Sequence, residues 1–344
     1  MDTCAQKQIG GRFLALDALR GLSVFLMLLV NNFGVGPDTP KFLMHAQWSG
    51  GVRLADFVFP WFLYCVGVAI PFSVASARKR AVPVWRYDLR SVRRVILLIA
   101  LGVLVSSAAE HGLDFTLGTL ALIGLSYAAG SLLYDLPAHR RAIIALLMLA
   151  AYWVVIKFLP NPGVHAGAFD EGRNIIHHIN QKYLAPLNLD GLPLVIPTSA
   201  LVMIGSLIGD LTRTDRISRN CKASVLAGCG AALVLAGYLW SFSIPFNKPL
   251  WTSSYVLFAA GTATIMLGIF HFAIDMRGRK IWAYPLLVFG SNAIVVYVAP
   301  IVFKSLVLHP VHISTGGWLR SLGYAAFWWI ILWVLYRKRL FLKV

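Results

Sequence analysis

Acidic side chains are scarce in this sequence: 14 Asp and Glu stand against 31 Lys and Arg, and charged residues together make up only 13% of the 344. A soluble globular domain carries about 25% charge. Any polar block of domain size is also missing, which excludes a soluble enzyme hung from a single membrane anchor. Cysteine is rare too. Cys4, Cys65, Cys221 and Cys229 form no CxxC pair, so neither a disulfide framework nor a zinc site is supported. There is no P-loop, no GxGxxG ahead of a helix, no HExxH and no GxSxG. The sequence therefore offers none of the signatures of a P-loop nucleotide site, a dinucleotide fold, a zinc protease or a serine hydrolase. Nor does an internal repeat mark out the inverted halves of a transporter.

What the chain does have is apolar length. Hydrophobic residues make up 58%, and mean hydropathy is +0.71. Runs of about 20 apolar residues, each able to cross the hydrocarbon core, recur from end to end. Ten spans are expected, near 13–31, 55–76, 95–110, 116–134, 142–159, 194–210, 223–242, 251–272, 284–303 and 317–336. The fold class is all-α: a polytopic membrane helical bundle of about ten transmembrane helices, forming one domain over 1–344.

The formal charge of +17 raises the question of nucleic acid. The basic residues, however, lie in short clusters at alternate ends of the apolar runs, not on one folded face, so nucleic acid is not an expected partner. On this topology 22 of the 31 fall on one side. The positive-inside rule then places both termini in the cytoplasm. The expected partner is the lipid bilayer, and self-association into a homo-oligomer stays open.

Two exterior connections are long, about 32–54 and 160–193. The first runs through His45 into an aromatic stretch with Trp48, Trp61 and Tyr64, whose rings suit the headgroup level. His45 is thus a titratable imidazole, usable as base or nucleophile, held at a membrane surface near the mouth of a helix. The second connection carries His165, Asp170, Glu171, Arg173, His177 and His178, at spacings that match no metal-ligand pattern; no metal is expected.

Polar residues inside spans call for partners. Asp17 and Arg20, three apart, share a helix face and can pair; in the other reading Arg20, with Asp17 beside it, holds an anionic group of a cofactor. Asn292 is expected to line a central cavity or to bond across a helix contact. The densest basic cluster, Arg78 to Arg94, reads as a topology signal, as a contact with anionic lipid, or as an electrostatic funnel for a polyphosphate cofactor. Glu110 and His111 are a reserve acid–base pair.

Leu16-Asp17-Ala18-Leu19-Arg20-Gly21, Val30-Asn31, His45-Ala46-Gln47-Trp48-Ser49-Gly50 and Ala55-Asp56-Phe57-Val58-Phe59-Pro60-Trp61-Phe62 follow one another in a characteristic order. With Asp190-Gly191-Leu192, the block from Phe246 to Val256 and Gly290-Ser291-Asn292-Ala293-Ile294-Val295-Val296-Tyr297, that order resembles the heparan-α-glucosaminide N-acetyltransferase-like family of transmembrane acyltransferases, including its bacterial inner-membrane relatives. Ala121 and Leu122 stand where that family usually has a Gln-Arg pair.

The resemblance implies transfer of acetyl from cytosolic acetyl-CoA to a glucosamine-type amino sugar or related glycan on the periplasmic side of a bacterial inner membrane. It puts the catalytic histidine on His45 and its nearby asparagine on Asn31. Acyl transfer to an amine needs a base, oxyanion donors and a shared pocket. His45 is the base or acetyl carrier and Asn31 the carbonyl-orienting amide. Asp56 either fixes the imidazole tautomer or caps its helix. Arg20, Asp17 and Asn292 are the candidate cofactor contacts. Asn247, Lys248, Trp251 and Trp48 are the candidate sugar contacts, the alternative for Lys248 and Trp251 being interfacial anchoring. Two other functions fit the same residues: a sugar or glycan transporter, and an O-acetyltransferase of an envelope polysaccharide.

Overall fold

The computed structural model describes residues 13–33, 40–48, 50–110, 112–161, 163–309, 311 and 317–342. Readings placed on Cys4, Lys7, Arg12, His111 and Lys343 lie outside them. Among the described residues the chain forms twelve α-helices and no strand. They are α1 (Leu14–Asn32), α2 (Leu54–Lys79), α3 (Val84–Glu110), α4 (Thr119–Leu132), α5 (Ala138–Phe158), α6 (Ile175–Ile179), α7 (Val195–Arg213), α8 (Arg219–Ser241), α9 (Ser253–Phe270), α10 (Tyr284–Ser291), α11 (Ala293–Phe303) and α12 (Trp318–Arg337).

Eight helices among the described residues are long and apolar enough to cross a bilayer; α10 and the segment from α11 to Leu308 pass that test only together, as a pair bent by 76°, the geometry of a broken span or a re-entrant loop. The fourth expected span is α4, only 14 residues long, shorter than the roughly 20 a helix needs to cross upright. The chain is a polytopic all-α helical bundle. The 160–193 connection is more ordered than its composition suggests: it contains α6 and several short non-α turns.

Small residues let the central helices meet backbone to backbone. On α2 a Cβ at Gly67 would collide with the Val202 carbonyl of α7, and one at Gly205 would run into the Tyr64 carbonyl. Gly21 of α1 and Gly290 of α10 are in the same position against Leu286 and Asp17. Polar side chains complete the joint between α2 and α9. Trp61 Nε1 donates to Thr262 Oγ1 at 3.0 Å, and Tyr64 and Thr264 share a hydrogen bond of 2.8 Å. Away from water each such bond removes a desolvation penalty. The start of α2, where Asp56 lies, is therefore fixed against α7 and α9.

Asn292 sits at the break between α10 and α11, with φ −130° and ψ 47°. Its side chain is buried, donating to the Leu340 carbonyl at 3.2 Å and accepting from the Leu342 N–H at 2.9 Å. The amide is thus used to hold the segment after α12 against the break.

Candidate active site

Asp56 is the third residue of α2. One of its oxygens, Oδ2, accepts the Arg53 N–H at 2.9 Å and the Ala46 N–H at 3.1 Å. The other, Oδ1, lies 2.9 Å from His45 Nδ1. The two roles expected for Asp56, cap and tautomer-fixing partner, are therefore carried out by different oxygens of the same carboxylate. The Asp56 carbonyl is accounted for as well. Pro60, four residues on, has no N–H to give it, and the Tyr255 hydroxyl of α9 donates to it instead at 2.5 Å. Arg53 Nη1 reaches the His45 carbonyl at 3.3 Å, so the segment carrying the histidine is tied to the helix start at both its side chain and its backbone.

Lys248 completes the cluster from a tight turn between α8 and α9. Asn247 builds that turn: its Oδ1 accepts the Leu250 N–H at 2.8 Å and its own N–H donates to Thr252 Oγ1 at 3.1 Å. Trp251 closes it with a left-handed φ of +49°, a strained conformation for a bulky residue. At the tip, Lys248 Nζ lies 3.0 Å from His45 Nδ1, 3.3 Å from Nε2 and 3.7 Å from Asp56 Oδ1. With Nδ1–H donating to Asp56 the Nε2 lone pair is left free, and the ammonium lies beside the ring, nearer Nδ1 than Nε2. Burial pushes the Lys248 pKa down, and the attraction of Asp56 does not fully offset it.

The imidazole is half exposed and opens onto two adjoining cavities. One, of about 480 Å³, is lined by His45, Asp56, Phe59, Thr119, Lys248 and Trp251 among others. The second, of about 170 Å³, brings Asn31, Met27 and Tyr297 to the same His45 and Lys248. A third cavity, of about 300 Å³, lies beyond them toward the arginine-rich ends of the helices. Arg20, Arg94, Leu120, Ile123, Ser291 and Leu342 are among its walls. Arg20 is paired with Asp17 at 3.3 Å. Arg94 lies with its Cζ 4.4 Å over the Tyr127 ring, and its Nε is buried with no hydrogen-bond partner among the described residues.

α1, α2, α4 and α11 wall both the third cavity and the smaller of the two at His45. Arg20 and Asn31 both belong to α1, eleven residues and so about 16 Å apart along its axis. Leu120 and Thr119 are neighbours on α4, one on each cavity. Ala293 and Tyr297 lie one turn apart on α11. The line along these shared helix faces, from Arg20 and Arg94 to His45, is a seam of two separate cavities with no wall residue in common.

Of the candidate residues, His45, Asn31, Asp56, Lys248 and Trp251 converge, and Arg20 with Asp17 lies at the far end of the seam. Three others have structural tasks. Asn247 is buried, its Nδ2 donating to the Trp48 carbonyl at 3.1 Å. Trp48 donates to the Phe169 carbonyl at 2.6 Å, joining the segment that carries His45 to the connection between α5 and α7. Asn292 holds the C-terminal segment. The Trp251 ring is largely enclosed, packed edge-on against Phe59 and Tyr255, and presents a wall to the cavity. Sequence reasoning left out Tyr255, Tyr297 and Thr119, and treated Arg53 and Arg94 only as charges; the Pro60 gap in the α2 ladder was a readable sign that the Asp56 carbonyl needed a donor.

A family model described as a domain of unknown function (DUF5009) matches residues 12–136, the part of the chain that carries Arg20, Asn31, His45, Asp56 and Arg94. The human heparan-alpha-glucosaminide N-acetyltransferase is 24% identical over an alignment of 418 positions covering 97% of this chain and 60% of the relative. For the mouse heparan-alpha-glucosaminide N-acetyltransferase the identity is 23% over 420 positions, covering 98% and 61%. The chain spans about three fifths of the length of these curated relatives. Over almost its entire length, then, it is similar to heparan-alpha-glucosaminide N-acetyltransferases.

Proposed function

We propose that the chain is a transmembrane acetyltransferase of a bacterial inner membrane, moving acetyl from cytosolic acetyl-CoA to the amine of a glucosamine-type sugar at the His45 end. The observation that carries this reading is the seam. It places two guanidinium groups at one end and an Asp-oriented imidazole at the other, with apolar helix faces between them.

The residues present suit such a donor. A buried guanidinium Nε without a partner is costly, and an anionic oxygen of the coenzyme supplies that partner at Arg94. Arg20, held in place by Asp17, presents a second guanidinium for the same phosphates. The thioester arm then lies along the seam toward Asn31 and Tyr297.

At the other end Asp56 keeps the proton on His45 Nδ1, leaving the Nε2 lone pair to act. That nitrogen either takes a proton from the sugar amine as it attacks the thioester, or attacks the carbonyl itself and carries the acetyl group. In both routes negative charge develops on the carbonyl oxygen beside the Lys248 ammonium and the Asn31 amide, two donors already in the cavity. The larger cavity, on the other side of His45, receives the sugar.

Transfer of labelled acetyl from acetyl-CoA to glucosamine by the purified chain tests the proposal. The native protein is expected to form N-acetylglucosamine, and His45→Ala to lose about 10³-fold or more in kcat. Sugar uptake into vesicles without acetyl transfer would contradict the proposal in favour of a transporter. Acetyl found on a hydroxyl would identify an O-acetyltransferase.

A further inference from the structure

The amine nearest the catalytic imidazole belongs to the protein itself. Lys248 Nζ lies 3.3 Å from His45 Nε2, the nitrogen left free when Nδ1 is bonded to Asp56. Among the described residues, Lys248 is the lysine that lines both cavities opening onto His45. It projects from a turn fixed by Asn247 and Thr252, so its backbone cannot swing it far away. An acetyl carbon on Nε2 would thus lie within attacking range of a held amine, the situation in which proximity is worth most.

We infer that Lys248 is an acyl acceptor in its own right, a self-acetylation site that receives acetyl through His45 when no sugar amine occupies the cavity. The inference rests on the acetyltransferase reading and extends it to the fate of an enzyme loaded without acceptor.

The chemistry balances without a further reagent. His45 Nε2 attacks the thioester carbonyl, the carbon–sulfur bond breaks, and the departing thiolate takes a proton from the Lys248 ammonium. This leaves a neutral amine beside an acyl-imidazolium whose Nδ1 proton stays with Asp56. The amine lone pair then forms the carbon–nitrogen amide bond, and the bond to Nε2 breaks with its electron pair returning to that nitrogen. The proton shed by the new amide goes to Nε2 and on to solvent. Burial, which already lowers the Lys248 pKa, makes the proton transfer to thiolate easier.

Two consequences follow. The modification replaces a cation next to Asp56 by a neutral amide, removing an oxyanion donor. It also places an acetyl group where the acceptor enters. A chain left with donor alone therefore inactivates itself, and a sugar amine protects it by competing for the same acyl group.

The test uses the full chain in detergent, incubated with acetyl-CoA in the presence or absence of glucosamine, with the acetylated lysines located by peptide mass spectrometry. Lys248 is expected to be acetylated about tenfold or more faster than exposed lysines such as Lys41 and Lys182. Turnover should fall in step, and glucosamine should slow both changes. In His45→Gln, which keeps a polar side chain, the preference for Lys248 should vanish. A second arm replaces acetyl-CoA by p-nitrophenyl acetate, a donor that needs no coenzyme site. Preferential labelling of Lys248 by the ester alone would uphold the inference while rejecting acetyl-CoA as donor. Lys248 left unmodified by both donors, or modified no faster than exposed lysines, would overturn it, as would unchanged labelling of Lys248 in His45→Gln.

Discussion

The two ends of the seam use charge in opposite ways. At the His45 end every Asp56 acceptor is taken: both carboxylate oxygens and the backbone carbonyl have donors, and the lysine lies against the ring. At the other end Arg20 has one carboxylate partner, while the Arg94 Nε is buried with none among the described residues. A satisfied polar cluster is rigid and fixes proton positions, whereas an unsatisfied buried cation gains most from a ligand that arrives with negative charge. On the proposed function, chemistry belongs to the first end and anion binding to the second.

Substitutions can break that division. The largest expected effect is at Asp56. Asp56→Asn keeps the size but no longer holds the Nδ1 proton, and kcat should fall about 10²- to 10⁴-fold with little change in the KM for sugar. A comparable rise in the KM for sugar would instead assign Asp56 to acceptor binding. At the opposite end, Arg94→Gln and Arg20→Gln should each raise the KM for acetyl-CoA about tenfold, the equivalent of roughly 1.4 kcal/mol, and leave the sugar KM alone. Equal effects on both KM values would remove the distinction between the ends.

Lys248 sharpens the comparison through pH. Its pKa is depressed by burial, so on raising the pH it loses its proton in the folded chain before an unfolded lysine would. The penalty for burying the ammonium is therefore present in full below the depressed value and lifts as pH rises from it to the ordinary lysine value. If the ammonium is needed as an oxyanion donor, kcat should decline over that alkaline range, and Lys248→Arg should move the decline to higher pH. A decline that stays in place in the arginine variant would show that another group causes it. The smallest effect concerns the helix start. Tyr255→Phe leaves the Asp56 carbonyl without its donor and should cost about 1–3 kcal/mol of stability, read as a shift in thermal midpoint. Combining it with Pro60→Ala, which restores a helical N–H, should recover part of the loss.

Much of this organisation can be read in the chain before folding. The apolar runs reappear as helices, and the run from His45 into the aromatic stretch already read as a histidine near the mouth of a helix, with Asp56 either its tautomer-fixing partner or the helix cap. Lys248 was legible as a neighbour of the site but not as a partner of the imidazole, because the turn that aims it depends on a tryptophan with positive φ. The asparagines were the least transparent. A buried amide must be hydrogen-bonded, yet its composition does not say to what. Asn247 bonds the Trp48 carbonyl and its own turn, and Asn292 the segment after α12; both partnerships join residues far apart in sequence. Arg94 was hidden differently, as one charge among many in a basic cluster, distinguished only by the helix that turns it inward.

Sidedness tests the central claim most directly. With the chain reconstituted in sealed vesicles of defined orientation, labelled acetyl-CoA is supplied on one face and glucosamine on the other. N-acetylglucosamine should form at the His45 face when, and only when, acetyl-CoA is on the arginine-rich face. Product that requires both substrates on the same face would contradict a seam that carries the donor through the bundle.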